Sequence, residues 1–172
     1  MTGEIAEWLT NSQSREFAAN LLSSVPGLPP ILQTIHLLSI VAIMASIVMI
    51  DLRVLGLAVP SQHLDEMIAR LKPWTWWGVI VAASSGIWFV LARPNRYFSN
   101  PVFQIKLVLL LAVLILTFIF YRWSTTDKNL WQAQGHKVVI VKLIAIVSLG
   151  LWVGVVMAGR WIAYSEYLFW SE

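Results

Sequence analysis

The 172-residue sequence contains no cysteine, so it can form no disulfide, thiolate metal site, iron–sulfur cluster or covalently attached c-type haem. Charge is scarce as well: 12% of residues are Asp, Glu, Lys or Arg, against 58% that are hydrophobic. At a mean hydropathy of +0.72, a water-soluble domain would expose more apolar surface than such domains carry. The net charge is only +3, and most cations sit at the ends of apolar runs, which argues against a nucleic-acid partner. No hydrolase elbow, phosphate-cradling glycine loop or H-E-x-x-H pattern occurs. Internal repeats and mid-depth acidic residues of the kind transporters use are also missing. The first 24 residues open with Glu4 and Glu7 and lack a basic segment followed by an apolar stretch. They do not read as a cleaved secretory signal and are expected to stay attached.

What remains is four apolar runs, at residues 35–50, 74–92, 102–121 and 143–158. A hydrocarbon core of roughly 30 Å needs about 20 mainly apolar helical residues, and each run reaches that length with its flanks. The expectation is an all-α, four-helix transmembrane bundle at 30–172, preceded by an amphipathic interfacial segment at 1–29. In that segment Ile5, Trp8 and Leu9 share one helical face and Phe17, Leu21 and Leu22 another, which predicts two short helices lying on the membrane or packed on the bundle. The first span is predicted to run from about Pro30 to near Val59, with Pro60 ending it. Residues 61–72 read as a separate amphipathic helix, and Pro73 as the start of the second span. The stripes Gly78, Ala82, Gly86 and Gly150, Gly154, Ala158 predict close helix packing within the bundle. Trp74, Trp76, Trp77, Trp123 and Trp161 fall near the interfaces, while Trp88 and Trp152 lie deeper, where they would line a cofactor pocket.

Three basic residues share one depth in this arrangement. His36 lies about 9 Å beyond Pro30, Lys106 about 7–8 Å beyond Pro101, and Arg160 near the end of the last span, at 1.5 Å per residue. Ionisable groups at membrane depth are costly unless paired or turned to a cavity, so the three mark a candidate anionic-ligand site. Gln33, Thr34, Ser39 and Gln104 would add hydrogen bonds, and Arg93, Arg96 and Tyr97 would close its mouth. Haem b satisfies this set chemically, because imidazole ligates iron while Lys and Arg pair with propionates. Quinones and lipid headgroups satisfy it less completely. In the simpler alternative His36 hydrogen-bonds a neighbouring helix and the two cations reach lipid phosphates. His63 and His136 fall at the opposite end and cannot serve the same metal.

The segments Leu32-Gln-Thr-Ile-His36-Leu-Leu-Ser39, Asp51-Leu-Arg53-Val-Leu-Gly56-Leu57, Phe103-Gln-Ile-Lys106-Leu-Val-Leu109 and Ala158-Gly-Arg160-Trp-Ile-Ala-Tyr164 resemble a family of small, uncharacterised bacterial four-helix membrane proteins over nearly the whole chain. More distantly, they resemble the membrane-bound bacterial protoporphyrinogen oxidases and the copper-resistance D membrane domains. The oxidase resemblance implies a haem b held by His36, with Lys106 as a further important residue. The chain departs from that pattern at Thr117-Phe-Ile-Phe120, where the oxidases tend to carry another histidine. The expected function is thus a haem b redox or electron-transfer protein of a bacterial inner membrane, with His36 as the metal ligand. Lipids and a membrane redox partner or a second copy would be its neighbours. The rival expectation is a non-enzymatic accessory subunit of a membrane complex.

Four spans place both termini and the 93–101 loop on one side. That side carries Arg15, Arg93, Arg96, Lys106 and Arg160, and the other Arg53, Arg70, Lys72, Arg122, Lys128, Lys137 and Lys142. The bias favours termini outside the cytoplasm, which is the periplasm in a Gram-negative bacterium. Reporter fusions at Met1 and after Glu172 should therefore report one non-cytoplasmic side, and a fusion within residues 125–134 the cytoplasm. Opposite sides for the two termini would refute the span count, and cytoplasmic termini the orientation.

Overall fold

The computed structural model describes residues 2–126 and 136–165. These form seven α-helices: α1 (Thr2–Thr10), α2 (Gln13–Ser24), α3 (Leu28–Leu55), α4 (Leu64–Ala92), α5 (Pro94–Phe98), α6 (Pro101–Thr126) and α7 (His136–Trp161), followed by a 3-10 turn at Ile162–Tyr164. The four long helices are each long and apolar enough to cross a membrane. The chain is an all-α membrane protein, as its apolar runs predict. Most of the expected polar connection at 122–137, including Lys128, lies outside the described residues, as does the tail at 166–172.

Cross-helix contacts fix an up-and-down bundle. His36 meets Ala82 and Ser85 while Ile43 meets Gly78, so α3 and α4 run antiparallel. Leu109 faces Gly154 while Lys106 faces Gly159, so α6 and α7 do too. On α3 the buried positions Ser39, Ile43, Ser46, Ile47, Ile50 and Asp51 recur every three or four residues and form one face. Its outward positions Ile35, Leu37, Leu38 and Val41 are exposed large apolar residues. That inversion is stable only where lipid replaces water. One apolar core gathers Ile43, Ile47, Val113, Trp152 and Val155, and a second, nearer the loops, gathers Ile50, Met67, Ile68, Phe120, Tyr121 and Val141.

Several helix boundaries differ from expectation. α3 stops at Leu55 instead of continuing to Val59, because Gly56 adopts φ +79°. Its N–H and that of Leu57 return to Arg53 and Leu52 carbonyls, the left-handed cap that glycine permits. Arg53 then holds the turn, donating from Nε to the Gln62 carbonyl and from Nη2 to the Pro60 carbonyl, each at 3.0 Å. The separate helix expected at 61–72 does not exist, since α4 runs without a break through Pro73. Proline removes one amide donor, whose acceptor would be the Ala69 carbonyl. Both Pro73 and Ala69 are exposed, so outside groups can satisfy that carbonyl. Meanwhile Leu64, Met67, Ile68, Thr75 and Gly78 stay on one buried face across the proline. The 93–101 connection, expected as a loop, carries the short α5.

The two N-terminal helices pack on the terminal end of the bundle, α1 against α5 and α2 against α4. Ser12 caps α2 by accepting from the Arg15 amide. Phe17 of α2 packs against Trp88 of α4, with ring centroids 6.3 Å apart.

The glycine stripes differ in what they do. A Cβ at Gly78 would lie 2.6 Å from Ile43 Cγ1 and 3.2 Å from the Ser39 carbonyl oxygen, whereas one at Gly150 would meet nothing within 4 Å. Gly78→Ala should therefore lower stability by about 1–3 kcal/mol through overpacking. Gly150→Ala should be neutral or stabilising by up to about 1 kcal/mol through helix propensity. Unfolding of both variants in mixed detergent checks the pair, and equal effects would contradict this assignment of the α3–α4 contact.

Candidate basic site at the terminal end

His36 projects from α3 onto the small-residue stripe of α4. Its Nδ1 lies 2.9 Å from the Ala82 carbonyl oxygen and 3.1 Å from Ser85 Oγ. A carbonyl oxygen can only accept, so Nδ1 carries the proton and Nε2 of the neutral ring keeps its lone pair. The ring sits this close because Gly86 has no side chain: a Cβ there would come within 3.1 Å of His36 Cε1. Ser85, buried, is itself anchored by donating to the Val81 carbonyl at 2.7 Å.

Lys106 comes from α6 to the same end of the bundle. Its aliphatic stem and ammonium lie along Gly159 of α7, where a Cβ would be 3.5 Å from Nζ. Asn100 fixes this register. Buried at the start of α6, it accepts from the Val102 amide at 2.9 Å and donates to Ser165 Oγ at 2.6 Å, joining the head of α6 to the end of α7.

The remaining expected site residues have other partners. Arg160, next to Gly159, is exposed; its Nη2 donates to the Tyr164 hydroxyl at 2.9 Å and its guanidinium lies 5.1 Å from that ring. Arg93 and Arg96 are exposed at the same end, beside α5. Thr34 and Ser39 bond carbonyls of their own helix, and Gln104 that of Phe98. Trp88 is occupied by Phe17, and Trp152 belongs to the apolar core. His63 and His136 are exposed at the far end. Among the described residues no three His, Cys, Asp or Glu side chains gather as a metal site. An iron carried in a macrocycle does not need such a group, since the ring supplies most ligands.

Sequence reasoning left a second polar cluster unassembled. Asp51, Thr75, Thr117, Tyr121 and Ser148 are buried together toward the other end of the bundle. The signal that could have found it is Asp51 itself, a carboxylate directly after the apolar run 35–50 and within the first long helix. Its partners come from three other helices, Thr75 from α4, Thr117 and Tyr121 from α6 and Ser148 from α7, and carry no motif.

Residues 27–165 match the profile of a family of unknown function (DUF6644). The chain belongs to this family. No curated protein and no solved structure matches it. The family match spans all four long helices with His36, Lys106 and Arg160, and leaves α1 and α2 outside.

Asn100→Ala removes both the α6 cap and the tie to Ser165. It should cost about 1–2 kcal/mol and loosen the Lys106–Gly159 approach. A cysteine pair placed at positions 106 and 159 should then crosslink more slowly in the Asn100→Ala background than without it, and an unchanged rate would contradict this role.

Proposed function

We propose that this DUF6644 protein binds haem b at its terminal end, where His36 would ligate the iron and Lys106 would offset the charge of a propionate. The observation that carries the reading is the engaged Nδ1 of His36. Ligating histidines almost always donate their other ring N–H to a carbonyl or carboxylate, which fixes the ring and directs the remaining lone pair to the metal. The donor chemistry therefore fits the group. Lys106 adds a cation at the same end of the bundle, suited to a propionate. Bound there, haem b would supply a one-electron iron couple suited to electron transfer or porphyrin oxidation.

The chain's own part is positional. The Ala82 carbonyl and Ser85 hold the imidazole tautomer, Gly86 makes room for the ring, and Gly159 accommodates the Lys106 stem. The basic-residue bias favours a periplasmic face of a bacterial inner membrane for this site. Partners there would be a membrane redox protein or a second copy.

Purification after haem-supplemented expression, with spectra oxidised and dithionite-reduced, tests the reading. A Soret band is expected that His36→Ala abolishes or strongly alters. Lys106→Ala should leave the band in place while lowering haem retention about tenfold, the loss of one charge-assisted contact of about 1.4 kcal/mol. A haem spectrum indifferent to His36→Ala would reject the ligand. A colourless protein would reject haem and favour the accessory-subunit reading.

A further inference from the structure

A small cavity about 22 Å along α3 from His36 carries a separate inference, independent of the haem reading. Asp51 is only 4% exposed and Thr117 only 3%. The Asp51 carboxylate oxygen Oδ2 has no hydrogen-bond partner among the described residues, and neither has Thr117 Oγ1. Asp51, Thr117 and Ser148 all line one cavity of about 10 Å³, with Tyr121 beside them. That volume is at the threshold for a single water, roughly 10–15 Å³, and a buried water needs two to four polar partners. Two orphaned oxygens and a serine hydroxyl supply them.

The surroundings also bear on charge. From α6 comes the neutral Tyr121 hydroxyl, engaged 3.0 Å away by Thr75 of α4. Lys72 of α4 lies on the Tyr121 ring, 5.9 Å from its centroid, and α7 presents Ser148. On α3 itself, Arg53 is committed to the turn carbonyls of Pro60 and Gln62. The carboxylate thus has no countercharge from these elements, and an isolated buried anion is among the costliest groups a membrane domain can hold. Buried polar atoms left without partners in a native fold call for an unseen water or ion.

We propose that Asp51, Thr117 and Ser148 form a proton-and-water site, in which Asp51 carries an exchangeable proton and one buried water links its free oxygen to Thr117. The proton and the water both come from the aqueous phase at the loop end, which Asp51 approaches within about 6 Å of the α3 terminus. Three hydroxylated or acidic side chains are too few oxygens for a calcium or magnesium ion, which takes six or more.

Infrared spectroscopy of the full chain in lipid nanodiscs at neutral pH tests this. The wild type should show a carboxylic-acid C=O stretch that moves with isotope-labelled aspartate, shifts on exchange into D2O and is missing in Asp51→Asn. Thr117→Val, which deletes the hydroxyl at nearly constant shape, should shift that stretch without removing it. Isotope labelling keeps the assignment independent of whether Asp51→Asn folds. Absence of a protonated aspartate band, or a band untouched by Thr117→Val, overturns the proposal. Stabilisation by sodium or lithium chloride that Asp51→Asn abolishes would place a cation in the cavity and overturn the proton assignment.

Discussion

The close approach of α3 and α4 along Gly78, Ala82 and Gly86 is the contact on which the rest of the bundle depends. In lipid, helices gain little by hiding apolar surface, so their association rests on packing and on polar contacts between backbones brought near. Gly78 has Ile43 and the Ser39 carbonyl against it, Ala82 offers its carbonyl to His36, and Gly86 leaves space for the imidazole. One stripe thereby sets the helix spacing, the register of α3 against α4 and the tautomer of the candidate ligand. With α3 so placed, its inner face presents Ile43 and Ile47 to Trp152 and Val155 of α7, and Asp51 to the cavity it shares with Ser148.

The bundle is polarised along its axis. At the terminal end sit His36, Lys106, Arg160 and the exposed arginines of the α5 connection, partly roofed by α1 and α2. Inside the bundle toward the loop end sit the buried Asp51 carboxylate, hydroxyls and an aromatic–hydroxyl pair, Tyr121 with Thr75. Between them lies the apolar core around Val113 and Trp152. His36 and Lys106 therefore do not pair with Asp51, although pairing would relieve the cost of burying each.

Boundaries were decided by local chemistry that competes with pattern. Pro73 reads as a helix start because proline is favoured there, but the buried face from Leu64 to Gly78 carries α4 through it at the expense of one exposed hydrogen bond. Gly56 ends α3 earlier than hydropathy implies, because a left-handed cap closes the helix and Arg53 then ties down the following turn. In both cases tertiary and capping interactions outweigh single-residue propensity.

The sequence by itself determined the solvent, the four spans, their antiparallel order and the common depth of His36, Lys106 and Arg160. Length, hydropathy and the fixed rise of an α-helix suffice for these. Only the tertiary structure decided which groups touch. Depth does not specify rotation about a helix axis. A bond from His36 to a neighbouring helix was one of the alternatives the sequence offered, and the structure makes that helix α4. Nothing in the sequence foretold that Lys106 would lie on Gly159 or that Arg160 would turn to Tyr164. Nor could it assemble Asp51, Thr117 and Ser148, because they come from three helices at unrelated sequence spacings. Helix rotation is set by the summed packing of small and large residues across every interface, a property of the whole bundle that no single segment encodes.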